Sequence, residues 1–134
     1  MNGWEIVMEA QKYLGIPYIF GAEVNPDETE PKAFDCSEYV QYVLFKCGFT
    51  DFPDGSYNQY DYCKDKGCEI TVNKARRIPG CLVFMEDDGR IHHVGFTTGQ
   101  NETLESRGKD YGTGKWPWRV GWNKACKIPQ VYYG

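Results

Sequence analysis

From residue 36 onward the apolar positions recur as Cys36, Tyr39, Val40, Val43, Leu44 and Cys47. That spacing of i, i+3, i+4, i+7, i+8 and i+11 lines one face of an α-helix. Asp35 stands at the N-cap, Glu38 three residues later completes a capping-box-like pair, and Gly48 is placed to end the helix. Residues 3–14, "GWEIVMEAQKYL", predict an earlier helix with Trp4, Val7, Met8 and Leu14 near one face, ended by Gly15. Between the two helices the chain is rich in Pro, Gly and acids. Its stretch from Glu23 to Lys32 is the least foldable and is expected to protrude. A further short helix is expected around Asn58 to Cys63.

After Thr71 the period changes. "GCLVFM", "IHHVGFTT", "ETLES" and "KIPQVYYG" are short, β-branched or aromatic, and separated by turn signals such as "DDGR" and "TGQN". Helices first and an antiparallel sheet afterwards predict an α+β fold, read as one domain over residues 1–134. A chain of that length buries about two-thirds of its unfolded surface in a single core.

Charge narrows the partners. With 15 basic and 19 acidic side chains, a net charge of −4 and no basic run, nucleic acid and anionic lipid are poor candidates. No apolar run approaches a membrane span, so membrane insertion is not expected, and no charged-then-apolar leader opens the chain. Six cysteines invite a disulfide framework, but Cys36, Cys47 and Cys81 lie inside apolar segments and reduced thiols fit better. Cys63 and Cys68 lack two further ligands at zinc spacing, so neither a metal nor a cofactor is called for.

One of these thiols is placed for chemistry. Cys36 takes the first helical position, where unpaired N–H groups and the helix dipole lower a thiol pKa, while Asp35 pulls the other way. Together with a nearby imidazole, that position makes Cys36 the expected acidic thiol of the six. On its own segment, however, Cys36 also reads as a buried apolar residue, as Cys47 does. A nucleophilic cysteine needs a base and a group that orients the base. The two histidines, His92 and His93, are adjacent on a predicted strand and face opposite ways, Ile91, Gly95 and Thr97 sharing the side of His93. If "TGQNE" turns the chain so that Gly95 lies opposite Glu105, then His93 and Glu105 become diagonal neighbours on one face. A register slip of one residue would remove Glu105 and leave Asn101 or Glu102 as rivals.

With these positions set out, "GIPYIFGA", "FDCSEYVQYV", "IPGCLVFM" and "HHVGFTTGQNETLESRG" resemble, in order and approximate spacing, the NlpC-type cell-wall peptidases, which are papain-like cysteine hydrolases. The resemblance implies Cys36 as nucleophile, His93 as general base and Glu105 as the third residue. It also implies a hydroxyl from Tyr18 directed into the site, and Asp35 with Ser37 holding the free amine of a stem peptide. Three positions depart from the family pattern: Cys81 stands for the usual Asp, and Phe20 and Ala22 for Trp and Gly. The loop from Tyr18 to Cys36 is also longer than typical.

The resemblance implies hydrolysis of a peptidoglycan stem-peptide amide, such as γ-D-Glu–diaminopimelate or γ-D-Glu–Lys, through a thioester and without a metal. The partners are then bacterial stem peptides, with a cell-wall-binding module or phage tail partner outside this chain. Compact size without a leader suggests a phage lysin, a tail-associated lysin or a catalytic module cut from one. The alternatives are an N-acetylmuramoyl-L-alanine amidase of the related CHAP type and a catalytically silent phage tail module.

Overall fold

A computed structural model describes residues 1–134. Four helices, α1 (Gly3–Ala10), α2 (Cys36–Lys46), α3 (Ser56–Asp65) and α4 (Val72–Ala75), accompany six strands. The strands are β1 (Glu69–Ile70), β2 (Pro79–Asp87), β3 (Arg90–Thr98), β4 (Glu102–Gly108), β5 (Gly112–Pro117) and β6 (Lys124–Cys126). They form one antiparallel sheet in the order β1-β6-β2-β3-β4-β5, with β2, β3 and β4 joined by tight turns. The expected α+β order holds. No helix is long and apolar enough to cross a membrane.

The stripe Tyr39, Val40, Val43 and Leu44 of α2 is fully buried, against Val94 and Phe96 of β3 and Leu104 of β4. Ile6, Val7 and Ala10 of α1 join the same core, and the Tyr39 hydroxyl donates to the Ala10 carbonyl at 2.7 Å. On the other face a smaller cluster of Ala75, Cys81, Val83, Trp122 and Ala125 covers the sheet. All six cysteines are free thiols.

Three sequence expectations change. The first helix ends at Ala10 and tightens into a 3₁₀ turn over Gln11–Tyr13, and its buried face is Gly3, Ile6, Val7 and Ala10. Trp4 and Met8 are instead about half exposed, at 50% and 55%. "KIPQVYYG" is not a strand: β6 stops at Cys126, and the tail is held by Tyr133, whose hydroxyl takes the Ile128 N–H and donates to the Gly80 carbonyl. The edge is filled instead by β5, which the Gly- and Lys-containing segment 112–117 did not advertise.

Two glycines let α1 lie against the start of β2. A Cβ on Gly3 would come within 2.1 Å of the Pro79 carbonyl oxygen, and one on Gly80, whose φ is +79°, within 2.3 Å of the Gly3 oxygen. Both obstacles are backbone and cannot swing aside. Gly80→Ala should therefore destabilise the fold by at least about 1–3 kcal/mol in thermal or urea unfolding. An unchanged midpoint would mean that the two segments do not touch as described.

Candidate active site

Cys36 opens α2 because Asp35 caps it: Asp35 Oδ1 accepts the Glu38 N–H at 2.8 Å, which sets the first turn. The reciprocal half of the capping box does not form. Glu38 Oε2 takes the N–H of Val24 at 2.8 Å instead, and the Tyr42 hydroxyl donates to the Glu28 carbonyl. The segment Glu23–Lys32 is thus strapped along α2 rather than protruding. Burial and the neighbouring Asp54 and Asp35 push the Glu38 carboxyl up to about 7 against the pull of the Val24 N–H.

The thiol is not acidic in the free protein. Burial first, then the Asp35 carboxylate, push Cys36 up to about 11, while the N–H groups of Val94, Ser37 and Cys36 itself pull it down. The helix N-terminus supplies donors as expected, but desolvation outweighs them. Cys47 is pushed up equally, to about 11, so acidity does not single out Cys36. Its neighbours do: the Val94 N–H at the sulfur belongs to the residue that follows His93.

His93 is aimed by a break in the strand. Met85 pairs with His93 but Glu86 pairs with Ile91, so one extra residue is accommodated around exposed His92. The bulge corrects the simple alternation: Ile91 packs against the helix-side core, while His93 stands on the face of Gly95. There its ring stacks on Trp122, with centroids 5.4 Å apart and planes at 25°.

The β3–β4 turn has the register assumed from sequence. Phe96 pairs with Leu104 and Thr97 with Thr103, which carries Gly95 opposite Glu105. An added Cβ on Gly95 would lie 3.1 Å from Glu105 Cβ and 3.3 Å from the Trp122 ring, so the missing side chain makes room for both. Glu105 Oε1 meets His93 Nε2 at 2.7 Å, and Oε2 accepts the Thr103 hydroxyl at 2.6 Å. The Arg119 guanidinium also donates to Oε1. Burial pushes this fully enclosed carboxyl up, but His93, Thr103 and Arg119 outweigh it and hold it below the usual carboxylate range. An ionised Glu105 makes Nε2 the protonated nitrogen and leaves Nδ1 as the basic one.

Thr103, Arg119 and Trp122 went unremarked as site residues from sequence. Thr103 had a signal, since it lies two residues from Glu105 on one strand face. Arg119 and Trp122 arrive from a distant irregular segment and had none. Trp122 serves as a packing residue whose partner is the His93 ring.

A cleft of about 360 Å³ is lined by Tyr18, Met85, His92, His93, Arg119 and the turn Arg107–Tyr111. Tyr18 is near enough to Cys36 and Asp35 for their charges, after burial, to raise its phenol. Of the expected substrate-binding residues it alone lines this cleft. Ser37 is buried with its hydroxyl on Asp35 Oδ1 at 3.3 Å, and Asp35 is engaged in capping. A larger open depression of about 940 Å³, bounded by residues such as Arg77 and Gln100, shares no residue with the cleft.

A thiol at a helix N-terminus, packed on a sheet that carries an imidazole and its carboxylate, is the architecture of papain-like cysteine hydrolases. The chain belongs to the NlpC/P60 family of cysteine peptidases, whose profile matches residues 15–122. Over 102 residues it is 32% identical to the probable endopeptidase p60 of Listeria monocytogenes serovar 1/2a, covering 76% of this chain and 18% of that protein. Over 103 residues it is 50% identical to the gamma-DL-glutamyl hydrolase of Bacillus subtilis (strain 168), covering 75% of this chain and 22% of that protein. The chain thus spans about a fifth of the length of these relatives. The NlpC/p60 domain of the peptidoglycan hydrolase SagA superposes with a TM-score of 0.77 at 25% identity, covering 96% of this chain and 100% of that one. The peptidoglycan hydrolase RipB of Mycobacterium tuberculosis shares the fold, with a TM-score of 0.75 at 24% identity over 98% of this chain and 66% of that one.

A raised thiol pKa gives a testable pH dependence. Without substrate, alkylation of Cys36 by iodoacetamide should accelerate with pH through the neutral range toward about 11, as the thiolate fraction grows. Asp35→Asn should accelerate it at pH 8, because it removes a charge that disfavours the thiolate. A rate already at its plateau below pH 6 would instead mark a preformed thiolate–imidazolium pair.

Proposed function

We propose that residues 1–134 form one catalytic domain that hydrolyses a γ-glutamyl amide in bacterial peptidoglycan stem peptides, with Cys36 as nucleophile, His93 as base and Glu105 as orienting carboxylate. The observation that carries the reading is the His93–Glu105 hydrogen bond at 2.7 Å on the strand whose next residue, Val94, lies close enough to Cys36 for its N–H to favour the thiolate. The NlpC/P60 family supports a peptidoglycan substrate. The gamma-DL-glutamyl hydrolase relative supports a γ-glutamyl bond.

In the proposed reaction, Nδ1 of His93 takes the Cys36 proton and the sulfur attacks the amide carbonyl carbon. The oxyanion is met by main-chain N–H groups at the start of α2, with the Tyr18 hydroxyl at the mouth; one such donor is typically worth about 2.7–4 kcal/mol of barrier. As the C–N bond breaks, His93 returns the proton to the leaving amine. Water, deprotonated by His93, then attacks the thioester, the C–S bond breaks, and the thiolate recovers the proton. Glu105 holds the ring by Nε2 throughout and balances the imidazolium. Asp35 and Ser37 act, in this reading, as the receivers of a stem peptide's free amine.

The setting we propose is lytic: a phage lysin or tail-associated lysin, with a wall-binding module or tail partner beyond this domain. Relatives about five times longer than their matched segment support such additional modules.

A zymogram on several cell walls, followed by mass spectrometry of the products, tests the activity. Peptides cut after γ-D-Glu are expected. Release of whole stem peptides from the glycan would mark an N-acetylmuramoyl-L-alanine amidase, and no clearing on any wall would favour a silent tail module. Within that assay, His93→Ala should cost about 10²- to 10⁴-fold and His92→Ala far less. Equal losses would remove the support for His93 as base. Glu105→Ala should lose more activity than Glu105→Gln, measured on protein shown to be folded by circular dichroism, because the amide keeps an acceptor for Nε2. If Glu105→Ala is nearly fully active while Asn101→Ala is not, the orienting residue lies in the turn.

A further inference from the structure

Resting on the γ-glutamyl reading, we propose that Arg107 is a carboxylate-binding subsite that recognises the free α-carboxylate of the γ-linked glutamate on the acyl side of the scissile bond. Arg107 lines the same cleft as His93 and Tyr18. Its guanidinium lies 4.0 Å from the Tyr111 ring centroid and 5.2 Å from that of Trp116, and these two rings meet edge to face at 6.1 Å. The side chain is thereby held in place by aromatic faces, which hold a cation without using up its N–H donors.

No protein group answers those donors. The ion pairs of the molecule join Lys12 to Glu9, and His93 and Arg119 to Glu105, so Arg107 has no carboxylate partner. Asp110, the one carboxylate lining the cleft, is exposed and pairs with neither Arg107 nor Lys109. Arg119 is committed to Glu105, and Lys109 is exposed on a flexible stem. Arg107 is therefore the fixed cation in the cleft that remains available. Its turn is also anchored, because the Gly15 N–H donates to Thr113 and the Thr113 N–H to Ile16, which ties β5 to the segment leading to Tyr18.

The chemistry of a γ-linked glutamate fits that cation. Its reacting carbonyl is the side-chain carbon, and the α-carboxylate sits four bonds away, a span of roughly 5 Å. When that α-carboxyl is a primary amide, the position carries no anion. A rigid guanidinium binds a carboxylate by a two-pronged, charge-assisted contact that an amide cannot reproduce. The subsite would therefore separate glutamate with a free α-carboxylate from its α-amidated form. The same recognition applies to a γ-glutamyl polymer and to a stem peptide.

The test uses two synthetic peptides, L-Ala-γ-D-Glu-L-Lys and its counterpart with the D-glutamate α-carboxyl as the primary amide. The native chain should prefer the carboxylate peptide by about 10- to 100-fold in kcat/KM, the range of a charge-assisted hydrogen-bonded contact. In Arg107→Gln that ratio should fall to near one, and Arg107→Lys should restore part of it. Tyr111→Leu, on an exposed ring, should lower the ratio as well, and covers the case in which an Arg107 variant fails to fold. Equal cleavage of both peptides by the native chain, or an Arg107→Gln that slows both by the same factor, would overturn the subsite while leaving the γ-glutamyl reading standing. Cleavage of neither peptide would sink the γ-glutamyl reading and the subsite with it.

Discussion

A single buried carboxylate organises this molecule. Glu105 has no solvent exposure, and an isolated charge so placed costs several kcal/mol. It is tolerated because three donors from three parts of the chain converge on it: His93 from β3, Thr103 from its own strand, and Arg119 from the segment after β5. The demands on the backbone follow. The β3–β4 register must bring Glu105 opposite a glycine, the bulge at His92 must turn His93 inward, and the chain must return through Arg119 and Trp122 to close the far side. Loss of any one partner leaves a buried carboxylate with fewer donors to hold it.

The other half of the site is built on a different principle. Asp35 fixes the first turn of α2, and the apolar stripe from Tyr39 to Leu44 presses that helix onto Val94 and Phe96. The same packing that stabilises the domain brings the Cys36 sulfur to the Val94 N–H. Burial then works against the thiolate, so in the proposed reaction the task of activating it falls to the imidazole. Arg107, held against two aromatic rings in the cleft, is proposed to answer a charge of the kind a γ-linked glutamate carries.

Local signals in the sequence carried much of this arrangement. The helical stripe of α2, the turns between β2, β3 and β4, and Gly95 facing Glu105 are short-range features, and periodicity reads them directly. Trp4 and Met8 misled because their bulk outweighs small residues in any hydrophobic pattern, yet Gly3 is what fits against the backbone of β2 and Ala10 is what the core encloses. "KIPQVYYG" has strand composition, but the Tyr133 hydroxyl pins it as an irregular tail. Glu38 looked like a cap partner, whereas the long loop before α2 competes for its carboxylate through Val24. Arg119, Trp122 and the Arg107 clamp stayed hidden because each depends on contacts between separate strands and loops.

In the proposed reaction the Cys36 sulfur becomes covalently acylated at a γ-glutamyl carbonyl, with His93 moving the proton. The most direct measurement is intact-mass spectrometry of protein acid-quenched during turnover of L-Ala-γ-D-Glu-L-Lys, followed by peptide mapping. A transient mass increase equal to the L-Ala-γ-D-Glu acyl group, located on Cys36 and absent in Cys36→Ser, is the predicted result. Product formation with the acyl group on another residue, or undiminished turnover by Cys36→Ser, would contradict it.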